Sequence, residues 1–415
     1  MEEQKQSKLL ILLICVLGTG MFYYSDGGSS LGPYTIMTKY VYGLIIVAVG
    51  LFAFLMTPDM DHIKCLGQDG FVLAMPTCIL LLFSMVLWVL QRSPLPNMTR
   101  GLSDAIYQMI GLLIAISYMV MFRGKAVYVQ MASMLLANSM IIVWDCIRVE
   151  GLATFIKEYM NLLLSFGEKS SKMMVTVEIN DLTYAMGIYL LYFLLRKNNV
   201  KYRVFLILLL GLFFSIGLKR IAVIAVAIAT VLTAFSKVFS KKNGTRYFRL
   251  MGVLCIFLSV LYIAMVKFGI YNKLAELWKI NTMGRTDLNN WIDTYYKFSP
   301  AFIGYGLGFV SRLLESMDGV SVGAIHNDYL RIYIETGFWG FILWLWSIWS
   351  YGITSFCRRR SFQMARIVFA VFIYCFVTYL TDNTYFYFYT NVATFTIILS
   401  CEYKSVEEMK EECEK

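Results

Sequence analysis

The sequence places its most reactive residue types in a short stretch around the second of its two histidines. That stretch runs from His326 to Gly340 and reads HNDYLRIYIETGFWG. Histidine is the side chain best suited to remove a proton near neutral pH, so His326 is the candidate general base. Three neighbours, Asn327, Tyr329 and Arg331, are candidate substrate-binding residues. The stretch therefore predicts proton transfer beside a polar substrate.

A second group of candidates lies upstream of this histidine. Arg285 is a candidate anion-binding residue, and Trp291, six residues later, is a candidate substrate contact. Glycine then alternates with larger residues at Gly304, Gly306 and Gly308. Such an alternation either cradles a phosphate or, more ordinarily, marks a turn where two backbone segments approach closely. The sequence leaves both interpretations of the glycines open.

Ordinary structural roles compete with these functional ones. Arg331 and Glu335 stand four residues apart, which is the spacing of an ion pair on the surface of a helix. His326 taken alone is also compatible with a histidine at a membrane interface. The sequence does not decide between these alternatives.

The acidic residues offer little for a metal ion. Clustered carboxylates hold hard cations, whereas the aspartates of the predicted outer loops stand apart and form no DxD pair. HExxH does not occur. We therefore expect chemistry without a metal or another cofactor. The isolated aspartates are Asp26, Asp287, Asp293, Asp318 and Asp328.

The amino-acid composition indicates the class of protein in which these candidate residues are held. Of the 415 residues, 59% are apolar and 15% are charged, against roughly 45–50% and about 25% in soluble domains. A spanning helix needs about 20 residues, so the apolar residues suffice for about twelve transmembrane helices. The sequence predicts an all-α polytopic integral membrane protein and excludes a soluble globular domain.

The net charge of +10 and the nine cysteines exclude further classes of protein. Lys and Arg fall mainly in short clusters between apolar runs, so nucleic-acid binding is not indicated. The cysteines include no CxxC pair, which predicts neither a disulfide framework nor a zinc site.

Twelve apolar windows divide the chain into predicted membrane spans. Basic residues concentrate in alternate connections, and the positive-inside rule then places both termini in the cytoplasm. The predicted spans are 9–24, 36–57, 70–90, 104–122, 126–146, 180–195, 202–217, 221–239, 249–270, 337–356, 364–380 and 385–401.

The polar segments between the spans define the predicted domain organisation. Residues 1–270 form a bundle of about nine helices, with an amphipathic outer segment near 147–179. Residues 271–336 form a large outer loop that carries most of the candidates and is expected to be catalytic. Residues 337–401 supply the last three spans, and residues 402–415 form a charged cytoplasmic tail.

Jointly, the candidates resemble the O-antigen polymerase and ligase superfamily of bacterial surface-polysaccharide synthesis. The resemblance rests on Gly284-Arg285, a Trp six residues later, a Pro before GxGxG, and HNxYL followed by ExGxxG. It covers residues 284–340. The predicted span count and the large outer loop before the last three spans agree with it.

The resemblance implies roles for particular residues. His326 matches the family histidine implicated in catalysis, and Arg285 matches the loop arginine that binds pyrophosphate. A further family arginine, beside a short outer turn between two spans, is matched by Arg220, with Lys219 as a substitute. The match at Arg220 is looser, because the family often has small hydroxyl residues just before this arginine and this chain has Gly-Leu-Lys.

The resemblance also implies an activity, namely transfer of a saccharide from undecaprenyl pyrophosphate to an acceptor hydroxyl at the outer face of the inner membrane. The departing diphosphate needs cations, and the planar guanidinium of arginine pairs with phosphate oxygens. The acceptor hydroxyl needs a base. A short helix starting near His326, together with neighbouring arginines, would keep that imidazole neutral.

The preferred interpretation is a polymerase of oligosaccharide repeat units for an O-antigen, capsule or exopolysaccharide. One alternative is a ligase, which uses the same donor and differs in its acceptor. A flippase or transporter is a further alternative, but transporters place ionisable residues at mid-membrane in paired halves. Expected partners are the undecaprenyl-pyrophosphate-linked oligosaccharide, membrane lipids, and a flippase and chain-length regulator of the same pathway, with no nucleic acid.

Overall fold

The computed structural model describes residues 8–24, 38–165, 182–196, 202–217, 219–239, 241–278, 285–316 and 325–402, apart from the side chains at positions 145, 241, 242 and 285–287. Within these ranges the chain forms helices joined by short connections and contains no β-strand. The predicted all-α class is therefore confirmed.

We number the helices in chain order. The first half of the chain supplies α1 (Lys8–Tyr23), α2 (Thr38–Met56), α3 (Met60–Leu90), α4 (Leu95–Phe122), α5 (Ala126–Met140), α6 (Leu152–Leu164), α7 (Leu182–Leu195) and α8 (Arg203–Ile216). The second half supplies α9 (Arg220–Phe235), α10 (Lys241–Lys267), α11 (Ile270–Leu277), α12 (Arg285–Ile292), α13 (Phe309–Glu315), α14 (Asp328–Leu345), α15 (Phe362–Tyr379) and α16 (Phe388–Ser400).

Two of these helices continue through a π-helical turn. Helix α5 passes through Ile141–Ile147 into Arg148–Glu150, and α14 passes through Trp346–Gly352 into Ile353–Arg359. Such turns take up extra residues without ending a helix. Each π-helical turn therefore joins two α-helical segments without a break, whereas Gly337, with φ +69° and ψ −173°, interrupts the helical backbone within α14.

Six helical segments of the described chain are long and apolar enough to cross a membrane. Four further apolar helices, α1, α7, α8 and α16, are shorter. A polytopic membrane protein is thus supported, and the count of twelve spans stays a prediction. The six longer segments are Thr38–Met56, Met60–Leu90, Leu95–Glu150, Arg220–Val238, Asn243–Lys267 and Phe362–Tyr379.

Several helices extend beyond the predicted apolar windows. Helix α3 begins at Met60 rather than near 70, and α4 begins at Leu95 rather than near 104. The hydropathy windows missed these ends because backbone hydrogen bonding continues past the last apolar residue. The polar start of α4 carries a contact to α14, because Asp104 pairs with Arg331. The polar start of α3 lies at the other end of that helix from Trp88, which contacts the loop.

The interior of the bundle is formed around α7 and the last two helices. Every residue from Leu182 to Phe193 is buried, and α7 contacts α8, α9, α15 and α16. By contrast, α1, α2, α8 and α10 expose large apolar side chains such as Leu9, Phe52 and Phe205. In a chain of this composition we interpret those exposed apolar faces as lipid-facing.

Side-chain contacts distinguish the two ends of the bundle. At one end, Trp88 and Gln91 of α3 donate to Leu307 O at 3.3 Å and to Gly304 O at 2.6 Å. We call this the loop end. At the opposite end, the fully buried Asp69 pairs with Arg360. The candidate site lies at the loop end.

The predicted amphipathic segment near 147–179 is described as far as residue 165. Within it, α6 buries Phe155 and Leu162 and exposes Leu152, Ile156 and Met160. Two faces of opposite exposure make α6 amphipathic. Its location at a membrane interface stays a prediction, and residues 166–179 lie outside the described chain.

Candidate functional site

His326 lies immediately before α14 at the loop end. Its Nδ1 is 3.2 Å from Oδ1 of Asp382, and 41% of its side chain is exposed. The backbone of His326 has φ +53°, in the left-handed region that favours glycine. With Nδ1 facing a carboxylate, the other ring nitrogen, Nε2, remains to accept a proton. The candidate base is therefore both oriented and accessible.

Asp382 is the functional candidate that the sequence analysis missed. It lies in the connection 380–387 between α15 and α16, and its side chain is only 7% exposed. Burial would raise the pKa of Asp382, but the hydrogen bond from His326 and the charge of Lys219 outweigh burial and hold that pKa well below its ordinary value. Asp382 is thus an ionised partner for the histidine. The only sequence signal is its position in a short polar triplet, Asp-Asn-Thr, between two apolar runs.

The structure bears on one electrostatic expectation about His326. A short helical segment does begin near it, running from Asp328 up to the non-helical backbone of Gly337, and the side chain of Asn327 accepts a hydrogen bond from Leu330 N at 3.0 Å. A charged group that contacts His326 is the Asp382 carboxylate. The effect of neighbouring arginines on the ring stays a prediction.

Lys219 lies close to the Asp382 carboxylate, whose pKa its charge lowers. Lys219 occupies the N-cap position of α9, and Arg220 is the first residue of that helix. The Lys219 ammonium lies 5.8 Å from the ring centroid of Tyr184, whose hydroxyl donates to Asp382 Oδ2 at 2.5 Å. A helix N-terminus and two cationic residues create a positive potential suited to an anion. We call His326, Asp382, Tyr184, Tyr387 and Lys219 the histidine site.

Arg285 begins α12, and its side chain lies outside what the structure describes. Its predicted pyrophosphate contact therefore stays a prediction. Trp291, later in the same helix, is half-buried and lies 5.3 Å from the ring of Tyr295. This ring contact neither requires nor contradicts a substrate contact at Trp291.

The glycine alternation forms a tight turn against α14. Gly304, Gly306 and Gly308 have φ values of +81°, +88° and +87°. A Cβ at position 304 would lie 2.4 Å from Gly337 N, and one at 306 would lie 2.4 Å from Trp88 Nε1. These distances support a turn with close backbone approach. Phosphate binding by these glycines stays a prediction.

Arg331 and Glu335 form the predicted ion pair, but not on a surface. Arg331 Nε lies 3.3 Å from Glu335 Oε2, and Arg331 Nη2 lies 2.5 Å from Asp104 Oδ2, with all three side chains buried. Glu335 Oε1 accepts the N–H groups of Gly308 and Val310 at 3.0 and 3.1 Å. The pair thus fastens the glycine turn to α4 and α14. We call Asp104, Arg331 and Glu335 the buried ion cluster.

The other predicted substrate-binding residues of the motif also have protein partners. Asn327 Nδ2 donates to the Tyr262 hydroxyl at 2.6 Å. Tyr329 is fully buried, and its hydroxyl donates to Phe376 O at 3.3 Å. These contacts explain Asn327 and Tyr329 through packing alone, and their contact with substrate stays a prediction.

Among the described residues, no three His, Cys, Asp or Glu side chains are grouped as metal ligands would be. The expectation of a metal-free reaction stays a prediction.

Comparison with known proteins bears on the same region. Residues 204–345 match the family model described as O-antigen ligase. The match includes Lys219, Arg220, Arg285 and His326 and ends before Asp382. No curated protein matches the chain. Residues 204–345 are thus similar to the O-antigen ligase family, which confirms the resemblance of this chain to the O-antigen polymerase and ligase superfamily.

Proposed function

We propose that this protein is a polysaccharide polymerase that joins undecaprenyl-pyrophosphate-linked oligosaccharide repeat units at the outer face of the inner membrane. The observation that carries the proposal is the pairing of His326 with Asp382 beside Lys219. An oriented base next to a cation fits transfer from a pyrophosphate to a hydroxyl. The family match supports this class of reaction at a coarser level.

The reaction balances with the groups of the histidine site. The acceptor hydroxyl oxygen forms a bond to the anomeric carbon of the donor, and the bond from that carbon to the pyrophosphate oxygen breaks. Nε2 of His326 takes the hydroxyl proton, while the Nδ1–H group keeps its proton and stays hydrogen-bonded to the Asp382 carboxylate. The departing lipid pyrophosphate keeps the electron pair of the broken bond.

Cations are needed where that negative charge collects. Arg220 and Lys219 stand at the start of α9, close to the pair that activates the acceptor. Arg285 is the third candidate, by resemblance. A guanidinium donates two parallel hydrogen bonds to phosphate oxygens and remains charged, so it stabilises the leaving group without a metal.

Polymerase and ligase chemistry share this donor and differ in the acceptor. Deleting the gene from the host and separating its surface glycans by size distinguishes the two. Exported single repeat units without long chains support the polymerase. Long chains retained on the carrier lipid indicate the ligase, and loss of exported repeat units altogether indicates a flippase.

Complementation then tests the site. Wild-type protein should restore long chains, and His326→Gln at equal expression should not. Long chains restored by His326→Gln would contradict the assignment of His326 as the base. A chain-length regulator is tested in the same cells by deleting its gene as well. That deletion should change the length distribution of the polymer without abolishing it.

A further inference from the structure

The carboxylate of Asp382 receives two tyrosine hydroxyls that the transfer reaction itself does not require. Tyr184 donates to Oδ2 at 2.5 Å, and Tyr387 donates to Oδ1 at 2.5 Å. The backbone N–H of Asn383 also donates to Oδ1, at 2.9 Å. With Nδ1 of His326 at 3.2 Å, four donors converge on one carboxylate.

The two tyrosines reach Asp382 from separate parts of the chain. Tyr184 is fully buried on α7, whereas Tyr387 is half-buried and directly precedes α16. Each carboxylate oxygen therefore has its own phenol donor. Rotation of the carboxylate would break both bonds, so its plane is fixed, and with it the direction in which the His326 ring is held.

These hydrogen bonds also change the charge that His326 meets. A donor to a carboxylate stabilises its ionised form and reduces its affinity for a proton. A carboxylate whose charge is shared among other donors also attracts a protonated imidazole less strongly than a bare one.

We infer that Tyr184 and Tyr387 are positioning residues that act through Asp382: they hold its carboxylate and set the pH at which His326 can accept a proton. The inference rests on the proposed function only in taking His326 as the base. Neither tyrosine needs to touch the substrate for this role.

Other charged groups around the pair do not change when a tyrosine hydroxyl is removed. Lys219 and Arg220 approach from the start of α9. On α14, Asp328 is fully buried and accepts Tyr385 N at 2.8 Å, and Arg331 is held by the buried ion cluster. A Tyr→Phe variant keeps all of these groups, so any change in the behaviour of His326 can be assigned to loss of the tyrosine hydroxyl.

The sequence allows a test that does not depend on glycan synthesis. His62 and His326 are the two histidines of the chain, so His62→Gln leaves His326 alone. Diethyl pyrocarbonate reacts with neutral imidazole, and the His326 ring is 41% exposed and accessible to it. The reaction rate of the purified His62→Gln protein, measured across pH, gives the pH midpoint of His326.

In that background, we expect Tyr184→Phe and Tyr387→Phe each to raise the midpoint by about 0.5 to 1 pH unit. Below the midpoint, the reaction should slow about three- to tenfold. Tyr189→Phe is the matched control, because Tyr189 lies on the same helix and its buried hydroxyl donates to Gln130 rather than to Asp382. That control should lower Tm and leave the midpoint unchanged.

The inference is overturned if the His326 midpoints of Tyr184→Phe and Tyr387→Phe both equal that of the His62→Gln parent. It is also overturned if Tyr189→Phe shifts the midpoint by the same amount. A shift in only one tyrosine variant would contradict the paired role. If Tyr184→Phe does not fold, the half-buried Tyr387→Phe decides the question. Long chains made by His326→Gln would contradict the proposed function instead, whatever the midpoints.

Discussion

The buried ion cluster and the histidine site each include residues of one short sequence motif, and they differ in the exposure of those residues and in the partners of their polar atoms. Arg331 and Glu335 are buried, and their charged atoms are occupied by protein partners, including Asp104. His326 leaves 41% of its side chain exposed and uses one ring nitrogen for Asp382. The motif thus contains residues whose charges hold the loop and a histidine with a ring nitrogen left available for the proposed reaction. Substitutions in the two regions should therefore fail differently.

The largest effect is expected at the reactive end. His326→Ala should abolish chain extension, because the base is lost, while insertion and thermal stability remain close to wild type. Glycan size analysis at matched expression, together with Tm of the purified protein, checks both parts. Long-chain glycan near the wild-type amount would contradict a catalytic role for His326, and with it the proposed difference between the histidine site and the buried ion cluster.

The next effect concerns the proposed pyrophosphate contacts. Losing one charge-assisted donor where charge develops typically costs about 10²–10³ in rate, so Arg285→Ala and Arg220→Ala should be strongly impaired. Lysine keeps the charge but loses the paired donors, so Arg→Lys should be impaired less. The readout is polymer length and amount, with Lys219 expected to soften the effect at 220.

Arg312→Ala is the control for the arginine series. Arg312 is 43% exposed and pairs with Glu315 at 2.7 Å. Equal damage from Arg312→Ala and Arg285→Ala would mean that the loop acts as a diffuse basic surface rather than through defined contacts.

In the buried ion cluster, Arg331→Met should act on stability instead of rate. Removing one partner of a buried ion pair typically costs about 3–5 kcal/mol, because the other charge is left uncompensated. Here Asp104 and Glu335 would both lose their shared cation. We expect a lower Tm and less folded protein, with chain extension per folded molecule largely kept. A variant with wild-type Tm and defective synthesis would instead support Arg331 as a substrate ligand.

The smallest effect is expected in the glycine turn. Gly306→Ala combines a positive φ with a Cβ 2.4 Å from Trp88 Nε1, whereas Gly269 has φ +69° and no atom within 4 Å of an added Cβ. Gly269→Ala should cost about 1 kcal/mol from backbone strain, and Gly306→Ala about 1–3 kcal/mol more from crowding. Equal losses of Tm in the two variants would show that the turn is not tightly packed.

The sequence predicted the helical membrane class because hydrophobic composition alone requires it. It also predicted which loop carries the motif, since both histidines and most arginines lie outside the apolar runs. Helix ends were less predictable. Helix α14 includes a first segment that begins at Asp328, before the apolar window at 337, because Asn327 caps its first turn; the non-helical backbone of Gly337 separates this segment from the apolar part.

The candidate site shows the limit of sequence reasoning more sharply. His326 stands out as a residue type, but Asp382 is 56 positions away and becomes its neighbour only through packing of the last helices. Likewise, the spacing of Arg331 and Glu335 predicted their pairing but not their burial, which depends on Asp104 of α4. Residue spacing along the chain predicts contacts within one helix. Contacts between distant parts of the chain decide whether a charged side chain is buried in an ion pair or left accessible to substrate.

Because His326 has a left-handed backbone, the residue that would be most stable at this position differs from the residue that the proposed activity needs. A residue with a side chain pays roughly 1 kcal/mol for a conformation that glycine adopts freely. His326→Gly would therefore relax the backbone while deleting the imidazole, and the gain would be offset only by the lost contact with Asp382. A library of variants screened for heat resistance alone should accumulate glycine at position 326 and become inactive, whereas a screen for polymer should restore histidine.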